Sequence, residues 1–339
     1  MCGIVGFAGR SGGMEATQLD RCRDAVSHRG PDAAGSWISN DGCVALAHRR
    51  LAILELSVAG AQPMHWPDPA VWITFNGEIY NHHELRDELR HMGCSFRGHS
   101  DTEVILAGFA RWGEGVFERL RGMFAIALYD HAARRLLLAR DRAGEKPLYW
   151  ARHRGGVVFA SELVALFADQ SLPRRLDAAG VNSYLAFGYV PGDQCIVAGV
   201  SKVAPAHLLR FDLDTGTVEQ RRYWNLPEAH PGADDEEALT DELHGLLRSA
   251  VREQLDADVP VAVLLSGGID SSLVTACAAA VSSRPVRTFC VGFPGEAAFD
   301  ERPHACRIAS YFGTQHTELE LEPSSVDLIP ELARRYDEP

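Results

Sequence analysis

The chain opens with Met1-Cys2-Gly3-Ile4-Val5-Gly6-Phe7-Ala8-Gly9, and the reading of this stretch decides the fold. If Met1 is removed, Cys2 carries both a thiol and a free α-amine, whose ordinary pKa is about 8. One residue then supplies nucleophile and base. The same run, apolar residues punctuated by glycine, also reads as a buried strand that starts a domain. What lies downstream has to support the chemical reading.

A chain of 339 residues is long for a single core and predicts about two domains. Its 46% hydrophobic and 23% charged residues are those of an ordinary globular protein. A net charge of -13 repels phosphate backbones and argues against nucleic-acid binding by bulk electrostatics, so small anionic ligands need local traps. The eight cysteines show no CxxC pair and no Cys/His run at zinc spacing. Seven of them, all but Cys2, read as reduced thiols packed as small hydrophobes. There is no basic segment leading into an apolar one at the start, and no run of about 18 apolar residues, so no membrane partner and a cytoplasmic location are expected.

A helical pattern from about Met14 to Ser27 runs into the turn HRGPDAAG (His28 to Gly35). The short runs GSWIS, CVALAH, AVWITF, MFAIALYD, RLLLARD, LYWAR and VVFAS are bounded by turn residues, as strands are. Amphipathic helices are predicted near His82 to His91 and Asp101 to Trp112. Together these imply packed antiparallel sheets with helices outside. After about Tyr189 the composition shifts: PGDQ, KVAPAHLL and the acidic LPEAHPGADDEE read as an interdomain connection. A helix from about Glu236 to Leu255, the strand PVAVLL, an Ala-rich helix, VRTFCVGF, a helix near Glu301 to Tyr311 and HTELEL then alternate, which implies a parallel, doubly wound sheet.

The opening strand, HRGPD, AHRRLAI (Ala47 to Ile53), FNGEIYN (Phe75 to Asn81) and SDTEV (Ser100 to Val104) occur in that order. Together they resemble the glutaminase domain of class II amidotransferases, most closely that of glutamine-dependent asparagine synthetases. The resemblance implies an N-terminal-nucleophile αββα sandwich over 1–190, a connection over 191–235 and the first part of a synthetase domain over 236–339. It implies Cys2 as nucleophile, with Asn76 and Gly77 forming an oxyanion hole. Asn-Gly after an apolar strand is equally a hairpin turn. Arg50 matches the family's grip on the glutamine α-carboxylate. Its neighbour Arg49 could do this on chemistry alone, and only the match to RLAI favours Arg50. Glu78 and Asp101 would receive the α-ammonium, although Ser100-Asp101-Thr102-Glu103 is also a capping box. The histidines, GAQPM (Gly60 to Met64) and RDRAGEKPLYW (Arg140 to Trp150) are assigned to structure.

In the second half, PVAVLLSGGIDSS (Pro260 to Ser272) places two glycines and three hydroxyls between a strand and a helix. Gly267 and Gly268 let the backbone approach an anion, and Ser266, Ser271 and the helix N-terminus offer donors. The run lacks the Lys of a Walker loop and resembles the pyrophosphate loop of the ATP pyrophosphatases. That resemblance implies ATP as a substrate complex with Mg²⁺, Asp270 on the Mg²⁺, and Leu265 and Val291 beside the nucleotide. An Asp270-capped helix after a glycine turn is the plainer alternative.

The expected activity is glutamine-dependent asparagine synthesis from glutamine, aspartate and ATP. The glutaminase half should be competent. The synthetase half reads as incomplete, because the sequence ends at Tyr336-Asp337-Glu338-Pro339, within a DEP-like stretch. A homodimer or a second chain supplying the remainder is a possible partner. Another carboxylate acceptor, or a non-synthesising glutamine-binding regulatory module, are the alternatives.

Overall fold

The first strand, β1 (Gly3–Gly9), is buried along its whole length. Ile4 and Ala8 enter one apolar layer, while Val5 and Phe7 enter another on the opposite face. A strand buried on both faces requires a covering layer on each side. The rest of the first unit supplies them. The structure, a computed structural model, describes residues 1–228, 232, 235–293, 300–321, 328–330, 332 and 336–338.

In chain order β1 is followed by α1 (Ala16–Asp24), β2 (Ala33–Ile38), β3 (Val44–Arg50), β4 (Met64–Pro67) and β5 (Ala70–Ile79). Next come α2 (His82–His91), α3 (Asp101–Trp112), α4 (Val116–Arg119), β6 (Gly122–Asp130) and β7 (Arg135–Arg140). The unit continues through β8 (Tyr149–His153), β9 (Gly156–Ala160), α5 (Leu163–Phe167), α6 (Ala178–Phe187), β10 (Val200–Lys202), β11 (His207–Asp212) and β12 (Val218–Arg222). These strands build two six-stranded sheets, ordered β10-β8-β9-β1-β3-β2 and β12-β11-β7-β6-β5-β4. Leu46, Ala127, Tyr129, Leu138, Phe159 and Phe211 pack between the sheets with Ile4. Leu19 and Leu166 bring α1 and α5 onto the outer face of the first sheet. Leu85, Ile105 and Phe117 bring α2, α3 and α4 onto that of the second. The result is the αββα sandwich expected from the sequence.

The seven apolar runs all fall on strands, and α2 and α3 have the predicted limits. Helix α1 is shorter than its pattern, because Ala25 to Gly30 close into turns. The stretch read as a connection from residue 191 instead holds β10, β11 and β12, and the first compact unit runs to Pro227. Strand β10 has only three residues and β12 is an exposed, polar edge strand, so neither carries an apolar alternation. Part of the acidic stretch after Pro227, and Pro339, lie outside the described residues.

The end of the chain belongs to this first unit. Asp337 accepts from the backbone N–H groups of Leu163 and Val164 at the start of α5. Glu338 accepts from Tyr149 Oη at 3.1 Å, Ile196 N at 2.9 Å and Lys202 Nζ at 2.6 Å.

The second unit, Glu228–Leu332, contains α7 (Glu236–Gln254), β13 (Ala262–Leu264), α8 (Ile269–Val281), β14 (Arg287–Gly292), α9 (Arg302–Phe312) and β15 (Gln315–Glu320). Among the described residues its strands are parallel in the order β13-β14-β15. They alternate with helices, as a doubly wound sheet requires. Its described core is small, built on Leu265, Cys290, Ala305 and Ala309.

One buried carboxylate fixes the loop between β7 and β8. Asp141 is fully buried and accepts from the backbone N–H groups of Phe124, Ala143, Glu145 and Lys146 at 2.9 to 3.1 Å. Asp141→Ala should therefore lower the unfolding free energy by about 3 kcal/mol, because buried donors lose their acceptor. All six tryptophans lie in the first unit, so urea unfolding followed by their fluorescence reads it; a change below about 0.5 kcal/mol would contradict this role.

Candidate active site

Pairing of β1 with β3 sets Gly3 opposite Arg49, which brings Leu51 beside Cys2. The Cys2 Sγ accepts from Leu51 N at 3.4 Å and lies 3.6 Å from Leu51 O. Arg29 Nε donates to Cys2 O at 2.8 Å, and Arg29 is itself held by Glu162 at 2.6 Å. Burial pushes the Cys2 thiol above its ordinary pKa, against the Leu51 hydrogen bond that pulls it down. The resting sulfur is a thiol and needs a base to become a nucleophile.

Alternation along β3 separates the two arginines. Arg50 lines the cleft beside Cys2, whereas Arg49 reaches toward Asp24 at 3.8 Å. Arg50 is not an idle fork. It donates to the carbonyls of Leu54 at 3.3 Å, Glu55, and Ser57 at 3.0 Å.

Asn76 and Gly77 lie inside β5, paired with Ala125 and Phe124, so the hairpin-turn alternative does not hold. Asn76 is 1% exposed, and neither its Nδ2 nor its Oδ1 has a hydrogen-bond partner among the described residues. A buried amide left unpaired costs about 1 to 3 kcal/mol unless a ligand completes it. A Cβ on Gly77 would sit 2.1 Å from Met123 O, which leaves room only for glycine.

Ser100 caps α3 by accepting from Glu103 N at 3.3 Å, but Glu103 turns to Arg97 N and Gly98 N and leaves the reciprocal half of the box unmade. Asp101 does not cap. Its carboxylate is buried in the cleft wall, accepting from Ile79 N at 3.0 Å and Thr102 N at 2.8 Å. Burial pushes it up to about 6. Burial also raises Glu78, while Lys146 and the N-terminus pull it down.

These side chains share one cleft of about 580 Å³ counted to its open mouth, lined by Cys2, Arg50, Asn76, Gly77, Glu78 and Asp101. Lys146 lines it too, 5% exposed, with Nζ 3.2 Å from Met1 Sδ. The sequence reading left Lys146 in a structural loop, because nothing local in RDRAGEKPLYW points it toward Cys2. Gln62 was likewise missed. It accepts from Phe75 N at 2.7 Å and donates to Thr102 Oγ1 at 3.2 Å, tying β5 to α3. His48 is structural, as expected; burial pushes it to about 3 and its Nε2 meets Phe75 O at 3.0 Å. The cleft thus offers a thiol, an unpaired amide, two cations and two carboxylates.

In the second unit, Leu265 follows β13, and its N–H donates to Phe289 O of β14 at 2.8 Å. Val291 lies further along β14, at the carboxyl end of that strand. Ser266 and Ser271 hydroxyls are 3.0 Å apart, and Gly268 N donates to Ser266 Oγ at 3.3 Å. Gly267 has φ +80 and a Cβ there would meet the His304 backbone at 2.6 Å, so the turn demands glycine. Gly268, not Asp270, is the N-cap of α8. Asp270 is exposed in its first turn and makes no hydrogen bond or ion pair among the described residues. Its free oxygens and the neighbouring hydroxyls suit a hard cation that completes its shell with phosphate oxygens.

Comparison with known proteins agrees with this division. Residues 1–224 match the family model of a glutamine amidotransferase domain, and residues 242–339 that of asparagine synthase. Asparagine synthetase [glutamine-hydrolyzing] 3 of Bacillus subtilis is 34% identical, over 98% of this chain and 56% of its own length. A putative asparagine synthetase [glutamine-hydrolyzing] 2 of Methanocaldococcus jannaschii is 32% identical, over 100% of this chain and 68% of its own. Amidase chry2 of Gibberella zeae is 34% identical, over 81% of this chain and 42% of its own. The chain thus spans about half the length of the first curated relatives it matches. Among solved structures, the allosteric regulatory enzyme of purine biosynthesis is similar with a TM-score of 0.52 at 15% identity, over 100% of this chain and 93% of that one. Glutamine phosphoribosylpyrophosphate amidotransferase from B. subtilis has a TM-score of 0.50 at 17% identity, over 94% and 65%. At such identities the likeness shows the fold alone. By its sequence relatives and its two matched domains, the chain belongs to the family of glutamine-dependent asparagine synthetases, an amidotransferase domain leading into an asparagine synthase domain.

Proposed function

We propose that the first unit hydrolyses glutamine to glutamate and ammonia, and that the ammonia serves an ATP-dependent amidation begun on the second unit. The observation that carries this reading is the cleft in which the Cys2 thiol lies with an unpaired Asn76 amide and with charges of both signs. Glutamine is a zwitterion with a neutral amide at its far end. Arg50 is assigned to its α-carboxylate, and Glu78 and Asp101 to its α-ammonium. With Met1 removed, the Cys2 amine takes the thiol proton and the sulfur attacks the amide carbon. Asn76 Nδ2 and the Gly77 N–H are assigned to the developing oxyanion, each worth about 2.7 to 4 kcal/mol in such sites. The amine returns its proton to the leaving ammonia, and water clears the thioester.

For the second unit, the family's use of ATP assigns Ser266, Gly267, Gly268 and Ser271 to the phosphates, Leu265 and Val291 to the nucleotide, and Asp270 to Mg²⁺. The bound metal would neutralise charge on the departing pyrophosphate. Aspartate is the proposed acceptor, adenylylated before ammonia reaches it. A different carboxylate acceptor is the second reading; a relative of similar identity bears the name amidase rather than asparagine synthetase. The product formed in the presence of aspartate separates the two.

Cys2→Ala should lower glutamine hydrolysis by about 10³-fold or more while leaving the unfolding transition in place; an unchanged rate would remove Cys2 from the mechanism. Asp270→Ala should weaken Mg·ATP binding about tenfold and spare glutamine hydrolysis, and a parallel loss of both would contradict separate sites. The KM for glutamine should also depend on pH. The substrate ammonium stays charged while Asp101 takes up a proton near pH 6, so KM should rise as pH falls through about 6. Asp101→Asn should raise KM at pH 7.5 and flatten that dependence; a wild-type KM that is constant from pH 7.5 to 5 would contradict the assignment.

A further inference from the structure

Glu55 is a non-glycine residue with φ +56, a conformation that is sparsely populated and persists only where its surroundings hold it. The residue is 5% exposed. Its carbonyl accepts from Arg50 Nη2, and its carboxylate is shared between two segments. Oε1 accepts from Ser57 Oγ at 2.5 Å and Ser57 N at 3.3 Å. Oε2 accepts from His99 N at 2.9 Å and faces His99 Nδ1 at 2.8 Å. These donors hold the carboxyl below its usual range. The packing is tight. A Cβ on Gly60 would lie 2.0 Å from Arg50 Nη2 and 2.7 Å from Glu55 O, and one on Gly98 would lie 2.6 Å from Glu55 Oε2.

We infer that Glu55 is a positioning residue for glutamine recognition: it winds Leu54–Ser57 around the Arg50 guanidinium and ties that loop to His99, two residues before Asp101. The inference rests on the glutamine reading of the cleft. Through Arg50 it sets the carboxylate end of the substrate, and through the His99 segment it sets the ammonium end. One buried carboxylate thereby fixes the spacing between the two charged ends of the site. A glutamine side chain at this position cannot accept on both of its terminal atoms, so it must release the backbone N–H of either Ser57 or His99.

The test compares the wild-type chain with Glu55→Gln in glutamine hydrolysis, and Cys2→Ala with Cys2→Ala/Glu55→Gln in L-glutamine binding by calorimetry. The expected result is a rise of about tenfold in KM and Kd with kcat within about twofold, as loss of charge-assisted bonds at a recognition group predicts. Glu55→Asp should restore most of the affinity. In an Arg50→Lys background, Glu55→Gln should cost less than it does in the wild type, because the part of its effect that runs through Arg50 is already lost. A purely structural role would instead lower kcat with the active fraction and leave KM in place. If Glu55→Gln does not fold, Ser57→Ala removes one donor to the carboxylate and should raise KM about threefold. An unchanged KM and Kd in folded Glu55→Gln, or in Ser57→Ala where that variant stands in for it, overturns the inference alone. Absence of glutamine binding and hydrolysis in the wild-type chain overturns the glutamine reading and this inference with it.

Discussion

Burial of β1 on both faces is the constraint from which the rest of the first unit follows. A central strand with apolar side chains above and below needs two sheets and two helical layers, which is what the unit contains. The strand's neighbours then determine its chemistry. Because β1 runs antiparallel to β3, the residue before β1 meets the residues after β3, and Cys2 and Arg50 come to the same place. The ends of two adjacent interior strands of one sheet thus deliver the thiol and the Arg50 cation, while β5 of the other delivers Asn76, Gly77 and Glu78.

The site carries costs that packing alone would not select. Asn76 keeps an amide buried without a partner, Asp101 keeps a carboxyl in an environment that favours its protonated form, and Glu55 holds a left-handed backbone. Local rules fail together where chemistry is to be done, and the surrounding sandwich supplies the stability that tolerates it. The same geometry explains why the cations are not idle. The loop whose carbonyls accept from Arg50 is tied down by the Glu55 carboxylate, and the loop that carries Lys146 is closed by the Asp141 carboxylate on its backbone N–H groups.

Much of this was legible in the residues. The strand runs of the first unit are short apolar or alternating runs bounded by turn residues, and α2 and α3 follow turn or capping residues, so their limits were readable. The β10 to β12 region was not, because three residues of strand and a polar edge hairpin leave no apolar signature. For the site, motif order named residues that the fold brings together from four separated segments. Local pattern could not choose between Arg49 and Arg50, nor between cap and cleft for Asp101, since both choices depend on which face of a paired strand or helix start is turned inward. Lys146, Gln62 and Glu55 escaped for a related reason. Each acts through a loop whose course is set by long-range hydrogen bonds, and short-range patterns do not encode those.

The account depends on Cys2 being an N-terminal nucleophile inside a glutamine-shaped cleft. The most direct measurement is intact mass with peptide mapping after exposure to a glutamine analogue that carries an electrophilic ketone in place of the side-chain amide. The account predicts one adduct per chain, on Cys2, only in chains that have lost Met1, and protection by glutamine. Labelling on another thiol such as the exposed Cys306, or on chains that retain Met1, would contradict it.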